Sequence, residues 1–256
     1  MSFRQGWALF IGLGVAGGCL ADPEIMVHEG DLAERGELVA TLHGNYTPKG
    51  DRRRDDGTWP TYRLTSLMAE FATGLAPGWE AGIHLPFMRA GIDSDTSQRG
   101  DWGASAVMFR LKYIRRQDSG VFYGFNAEYD INAKRYVADP RSIEFRGIVG
   151  FDAEHFRVTA NPHLIWGFGR SGGDRAPEFN IDWKALHKVG ADFAWGAELY
   201  TDWGKAGHLH PGQGDRTLYL VSETETALGS LHLGIGRGYK GTPERTIVKL
   251  VWSNSF

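Results

Sequence analysis

The sequence predicts an all-β fold: a twelve-stranded antiparallel transmembrane β-barrel. Three observations predict it. Apolar residues recur with a period of two along most of the chain, as strands with one apolar face require. Short connections alternate with longer ones, which is the turn-and-loop layout of a membrane barrel. Beyond the N-terminal segment, no apolar run approaches the roughly 20 residues that a spanning helix needs.

The predicted strands lie near 37–46, 62–74, 79–89, 104–115, 121–132, 142–152, 155–167, 178–188, 192–203, 217–226, 231–237 and 246–256. The alternation is clearest in 121–132. One face there carries Val121, Tyr123, Phe125, Ala127, Tyr129 and Ile131; the other carries Phe122, Gly124, Asn126, Glu128, Asp130 and Asn132. Phe125 is expected to face lipid near the middle of the membrane. Strand 155–167 has the same pattern but contains Pro162, which lacks a ladder donor and predicts a bulge. The predicted short turns, such as 153–154 and 190–191, belong to one rim. Longer connections, such as 47–61 and 90–103, belong to the other.

Composition agrees with a barrel. The 256 residues carry a net charge of -3 and are 42% hydrophobic, since only the outer half of each strand must be apolar. Residues 1–21 read as a secretory signal peptide: Arg4, a short apolar core from Trp7 to Val15, then small residues. Cleavage after Ala21 competes with a lipoprotein cut before Cys19. Cys19 is the only cysteine, so an internal disulfide is excluded. Residues 22–36 are polar and acidic and read as a periplasmic lead-in; 37–256 form the barrel.

The last strand, Arg245 to Phe256, ends on an aromatic, with Val248, Leu250 and Trp252 on the same face. It resembles the closing strand of bacterial outer-membrane β-barrels. In that class Trp252 and Phe256 would be the signal read by the barrel-assembly machinery. The resemblance becomes specific around Glu70-Phe71-Ala72-Thr73-Gly74-Leu75 and Gly78-Trp79-Glu80-Ala81-Gly82-Ile83-His84-Leu85-Pro86, and again at Phe109 to Tyr113 and Gly234 to Gly238. These runs are similar to the bacterial outer-membrane porin or transporter family of the meta-pathway of phenol degradation. The resemblance implies a bacterial outer-membrane location, short periplasmic turns and longer extracellular loops. It also implies passage of small, often hydrophobic, solutes, and it brings no catalytic residues.

Candidate lumen-lining residues are Glu70, His84, Arg110, Lys112, Asn126, Glu128, Asp130, Glu144, Arg146, Asn161, His163, Asp182, Lys184, Glu198, Glu223 and Lys249. With Glu80, Asp152, Asp202, Glu225 and Arg157 the inner face holds 11 acids and 6 bases, an excess of 11 − 6 = 5 acids. Such a wall favours cations. Predicted cross-strand partners are Arg146 with Asn161, Glu144 with His163, and Lys184 with Glu198. The same residues read equally as the walls of a selective channel or as a self-paired mesh filling a closed structural or adhesive barrel.

An outer-membrane lipid-modifying enzyme is a further alternative. It needs a nucleophile within reach of a base, and the best outward serine, Ser222, has no outward histidine placed beside it. No catalytic residue, cofactor or metal site is therefore assigned. His208 and His210 read as solvated loop residues, and the Arg52-Arg53-Arg54 run as loop charge paired with Asp51, Asp55 and Asp56. Nothing resembles a nucleic-acid surface. The expected partners are outer-membrane lipid, the assembly machinery and a small solute, with the chain a monomer.

Overall fold

The computed structural model describes residues 24–53, 58–137, 139–169, 176–212, 214–239 and 242–256. The signal segment, both processing sites, Arg54, Asp55 and Asp56 lie outside the described residues. The described chain is built of antiparallel strands: β1 (Leu38–Gly50), β2 (Leu64–Ala76), β3 (Trp79–Arg89), β4 (Trp102–Ala104), β5 (Ala106–Arg116), β6 (Val121–Asn132) and β7 (Arg141–Asp152). They continue as β8 (Phe156–Phe168), β9 (Glu178–Lys188), β10 (Phe193–Lys205), β11 (Arg216–Thr226), β12 (Gly229–Tyr239) and β13 (Glu244–Ser255).

Each strand pairs with its neighbours in the chain, and β1 pairs with β13, so the sheet closes on itself. β4 and β5 both pair with β3 and together make one interrupted barrel strand, giving a twelve-stranded barrel. The interruption has a local cause. Pro86 in β3 has no N–H to donate, and Ser105, between β4 and β5, donates its own N–H to the Pro86 carbonyl at 2.9 Å.

Alternation along the strands places apolar side chains outside and polar ones inside. Leu42, Leu67, Phe109, Phe145, Leu220 and Ile235 are exposed on the outer surface, Leu220 at 64%. Leu220 sits mid-strand between Ala197 and Ile235. Leu220→Arg is expected to cost about 2–4 kcal/mol, the penalty for a cation on the lipid face near the midplane. Urea titration of refolding into lipid vesicles measures it, and a neutral result would reverse the assigned face of β11.

The rims differ as the sequence predicts. The turns after β2, β5, β9 and β11 are tight, and Gly78 (φ 81°) and Gly120 (φ 88°) occupy backbone that side chains rarely adopt. At the other rim the connections are longer and pack on one another. Tyr136 is buried with Leu64, Met88 and Ala90, and its hydroxyl donates to the Met88 carbonyl at 2.8 Å. Trp59 joins this loop cluster.

Three local expectations need correction. Arg146 pairs with His163 and Glu144 with Ile165, two residues from the predicted register. The turn after β7 is longer than two residues, with the Ala153 N–H bonded to the Phe156 carbonyl. A shift of two keeps every side chain on its face. No bulge forms at Pro162; the β7–β8 register is the same on both sides of it, and Gly147 stands opposite the ring. Phe125 faces outward as expected, but it lies toward the short-turn rim, packed with Trp79 and Tyr113. The predicted pairing of Lys184 with Glu198 is present.

Candidate functional site

The lumen is the site. The candidate lumen residues Glu70, His84, Arg110, Lys112, Asn126, Glu128, Asp130, Arg146, Asn161, His163, Asp182, Lys184, Glu198 and Lys249 are all buried inside the barrel. Glu144 and Glu223 are half-buried. Their burial follows from strand parity, and their pairing from neighbouring strands that bring opposite charges to one height.

Three ion-pair clusters result. Arg110 on β5 donates to Glu80 on the neighbouring β3 at 2.7 Å and also contacts Glu70 on β2, two strands away. Arg146 on β7 reaches Glu144 and, two strands away, Asp182, each at 2.6 Å. His163 lies between those acids, at 3.2 Å from Glu144 and 3.3 Å from Asp182. Along β9 to β13, Lys249 contacts Glu198, and Lys184 contacts Glu223 and stands 3.8 Å from Glu198. His232 joins them at 3.1 Å from Glu223. Charges this buried are stable only when paired and hydrogen-bonded.

The largest departure from expectation is the N-terminal segment. Residues 22–36 were expected as a lead-in below the barrel. The described part, from Glu24, instead runs inside the lumen. It enters at the short-turn rim, where the Gly36 N–H donates to the Gly74 carbonyl at 3.1 Å. Going inward, the Ala33 N–H donates to Glu80 at 2.7 Å, and the Asp31 carbonyl accepts from Lys112 at 2.8 Å. Arg116 holds the Gly30 carbonyl at 3.1 Å and the Asp31 carboxylate at 2.6 Å. Glu29 pairs with Lys184 at 2.7 Å and Arg157 at 3.5 Å.

Deeper still, Asn161 binds His28 through both backbone groups, accepting at 2.7 Å and donating at 3.0 Å. Lys249 donates to the Ile25 carbonyl at 3.0 Å. Irregular backbone at membrane depth is tolerated when protein groups satisfy it, and here the wall does so. Leu32 also packs on the inward patch of Ile114, Phe122 and Ile148, and Ile25 on Leu186, Tyr219, Val221 and Ile247. The sequence missed these contacts because 22–36 has no strand period. Its only signal was acidity complementary to the inward lysines and arginines.

Between the segment and the long-loop rim a cavity of about 140 Å³ remains, lined by Asn45, His163, Asn180, Asp182, Tyr200 and Asp202 among others. That is room for a few water molecules. Near the inner end of the segment, the side chains of Glu24, His84 and Glu128 converge. His208 and His210 are exposed and join no group of three potential ligands among the described residues.

Ser222 faces outward, opposite Trp195 and Leu233. The outward His187 lies on the far side of Trp195, two strands away. At about 4.8 Å per strand that is beyond hydrogen-bond reach. Arg53 stands 3.6 Å from Asp95, and Arg52 lies over the Tyr62 ring at 4.0 Å.

No protein-family model matches the chain, and no curated protein matches it by sequence. Solved structures do match. An outer membrane channel from Pseudomonas putida F1 superposes with a TM-score of 0.65 at 15% identity, covering 91% of this chain and 100% of that one. The KdgM porin in complex with disordered oligogalacturonate gives 0.56 at 8% identity, covering 86% and 99%. The NanC porin gives 0.56 at 12% identity, covering 85% and 98%. The fold of this chain is therefore that of the outer-membrane barrels.

Proposed function

We propose that this protein is a channel for small solutes in the bacterial outer membrane, with its own N-terminal segment lying across the pathway. One observation carries the proposal: the lumen is spanned by a separate stretch of chain held through polar side chains that water can solvate in its place. A barrel evolved only for rigidity would be filled by its own wall. The comparisons support the proposal in general terms, since the matched structures are described as a channel and as porins. The resemblance to the phenol meta-pathway family extends the proposal to small, often hydrophobic, solutes.

In this reading the outward apolar band meets lipid, the tight turns face the periplasm and the chain acts as a monomer. The C-terminal strand would be read by the assembly machinery. Phe256 is exposed, and its backbone exchanges two hydrogen bonds with Leu38, at 2.9 and 3.2 Å. Deleting Phe256, or replacing it with Asp, is expected to lower the outer-membrane yield severely. Immunoblots of fractionated cells measure this, and an unchanged yield would remove the assigned signal.

Charge sets the expected selectivity. Arg110, Arg146, Arg157, Lys184 and Lys249 are engaged by acids and Lys112 by the Asp31 carbonyl, and the segment adds Glu24, Glu29 and Asp31 to the acidic side. Low-dielectric walls concentrate the field of the excess. The channel is expected to prefer cations. The reversal potential in a salt gradient across a planar bilayer tests it, and anion preference would overturn the charge assignment. A second reading, a closed structural barrel, is favoured by the ion pairs that bridge neighbouring strands. Absence of conductance even after removal of the segment would select it.

A further inference from the structure

We propose that Glu24, His84 and Glu128 form a binding site for a divalent transition-metal cation of the zinc type, which fastens the N-terminal segment to the barrel wall. Their potential ligand atoms all lie within 4.8 Å of one another. His84 Nδ1 is 3.3 Å from a Glu128 oxygen and 3.7 Å from a Glu24 oxygen. The three residues come from different parts of the molecule: Glu24 from the segment, His84 from β3 and Glu128 from β6. A cation bound by all three therefore joins two wall strands to the segment.

A second observation points to a ligand. His84 is 0% exposed, and neither ring nitrogen makes a hydrogen bond; nor does the Glu128 oxygen that faces it. Buried polar atoms are normally bonded, and each exception asks for an explanation. The other ring nitrogen, Nε2, lies 3.6 Å from Glu70. A carboxylate behind an imidazole is the arrangement that orients metal-binding histidines, since it holds the proton on the far nitrogen and turns the lone pair toward the metal. In that tautomer the Nδ1 lone pair faces two carboxylate oxygens, a repulsive arrangement that a cation between them reverses.

Local charge agrees. Glu24, Glu70, Glu80 and Glu128 surround this point. Arg110 is bonded to Glu70 and Glu80 and lies 4.0 Å from Glu24, and His43 is 3.2 Å from Glu70; Lys112 and Arg146 face the same carboxylates from farther off. His28 packs on Glu24 at 3.2 Å from the segment itself. None of these cations lies between Nδ1 of His84 and the carboxylates of Glu24 and Glu128, which is the place a divalent ion would fill. One imidazole and two carboxylates suit zinc better than calcium or magnesium, which take oxygen ligands, and leave a fourth position for water. Ligand bonds of about 2.0–2.2 Å require the side chains to draw inward. Two of the three are long glutamates, and one of these lies outside any strand.

The test uses the full-length protein purified in detergent, stripped with chelator and titrated with Zn²⁺; Co²⁺ serves as a spectroscopic probe. The expected result is one ion per barrel, with a Co²⁺ spectrum of low coordination number. Glu24→Gln and Glu128→Gln are each expected to weaken Zn²⁺ binding by at least about tenfold. Glu24→Gln changes a residue outside the barrel strands, so folding is preserved, as heat-modifiable gel migration will report. A His208→Ala/His210→Ala variant is expected to bind as the parent does. No stoichiometric Zn²⁺, binding unchanged in both glutamate variants, or loss confined to the loop-histidine variant would each overturn the site. Bound metal is read directly, so the outcome is independent of whether the barrel conducts.

Discussion

An in-frame deletion of residues 24–34 is expected to raise the single-channel conductance by about tenfold or more, because the segment and not the wall obstructs the lumen. Twelve-stranded barrels are wider than the eight-stranded ones that side chains alone can fill. Here the space is taken up by backbone held by Lys112, Arg116, Asn161 and Lys249. The barrel itself does not depend on those residues, since its closing strand begins at Leu38 and pairs with β13 from Val39 onward. Without the segment, water takes its place on the lysines and arginines. Planar-bilayer recordings of the deleted and intact proteins give the comparison. Equal conductance would mean that the wall mesh is itself the barrier.

The largest effect on stability is expected from Lys249→Met. Lys249 is 1% exposed and Glu198 is 0% exposed, and the two are in direct contact. Removing Lys249 takes away the cation in direct contact with buried Glu198 and leaves only the more distant Lys184 ammonium, at 3.8 Å, with a cost of up to about 3–5 kcal/mol. Tyr200, which donates to Glu198 at 2.8 Å, and His232, at 3.4 Å, offset part of that cost. The double variant Lys249→Met/Glu198→Leu removes both charges and is expected to recover most of the loss. Urea unfolding in lipid vesicles provides the double-mutant cycle. If the double variant were as unstable as the single one, packing around Lys249 and not charge would dominate.

The barrel was legible in the sequence because its physics is periodic. Period-two alternation sorts Phe125 from Asn126 onto opposite faces. Parity survives even where register slips, as it did by two residues at Arg146. Parity also identified the inward charges without knowledge of their partners. Exact partners depended on turn length, and the turn after Asp152 was read too short. The segment from Glu24 was not legible, since its position is set by long-range bonds, such as His28 to Asn161, that leave no period in the chain. His232 was missed for another reason. It is flanked by Leu231, Leu233, Gly234 and Ile235, and its buried place beside Glu223 is a property of the neighbouring strand. The convergence of Glu24, His84 and Glu128 likewise needs three distant parts of the chain at once.

The seam has a consequence for the order of assembly. The hydrogen bonds between Leu38 and Phe256 join residues at nearly opposite ends of the chain, so the ring can close only after the C-terminal strand has emerged. Contacts of such high sequence separation form slowly, because most of the chain's loop entropy must be lost first. The segment preceding Leu38 is tied to β3, β5, β8, β9 and β13, on walls all around the ring. A sheet that is still open can wrap around this segment, whereas a closed ring would have to be threaded. Closure of the last strand pair around the N-terminal stretch leaves it enclosed by strands on every side.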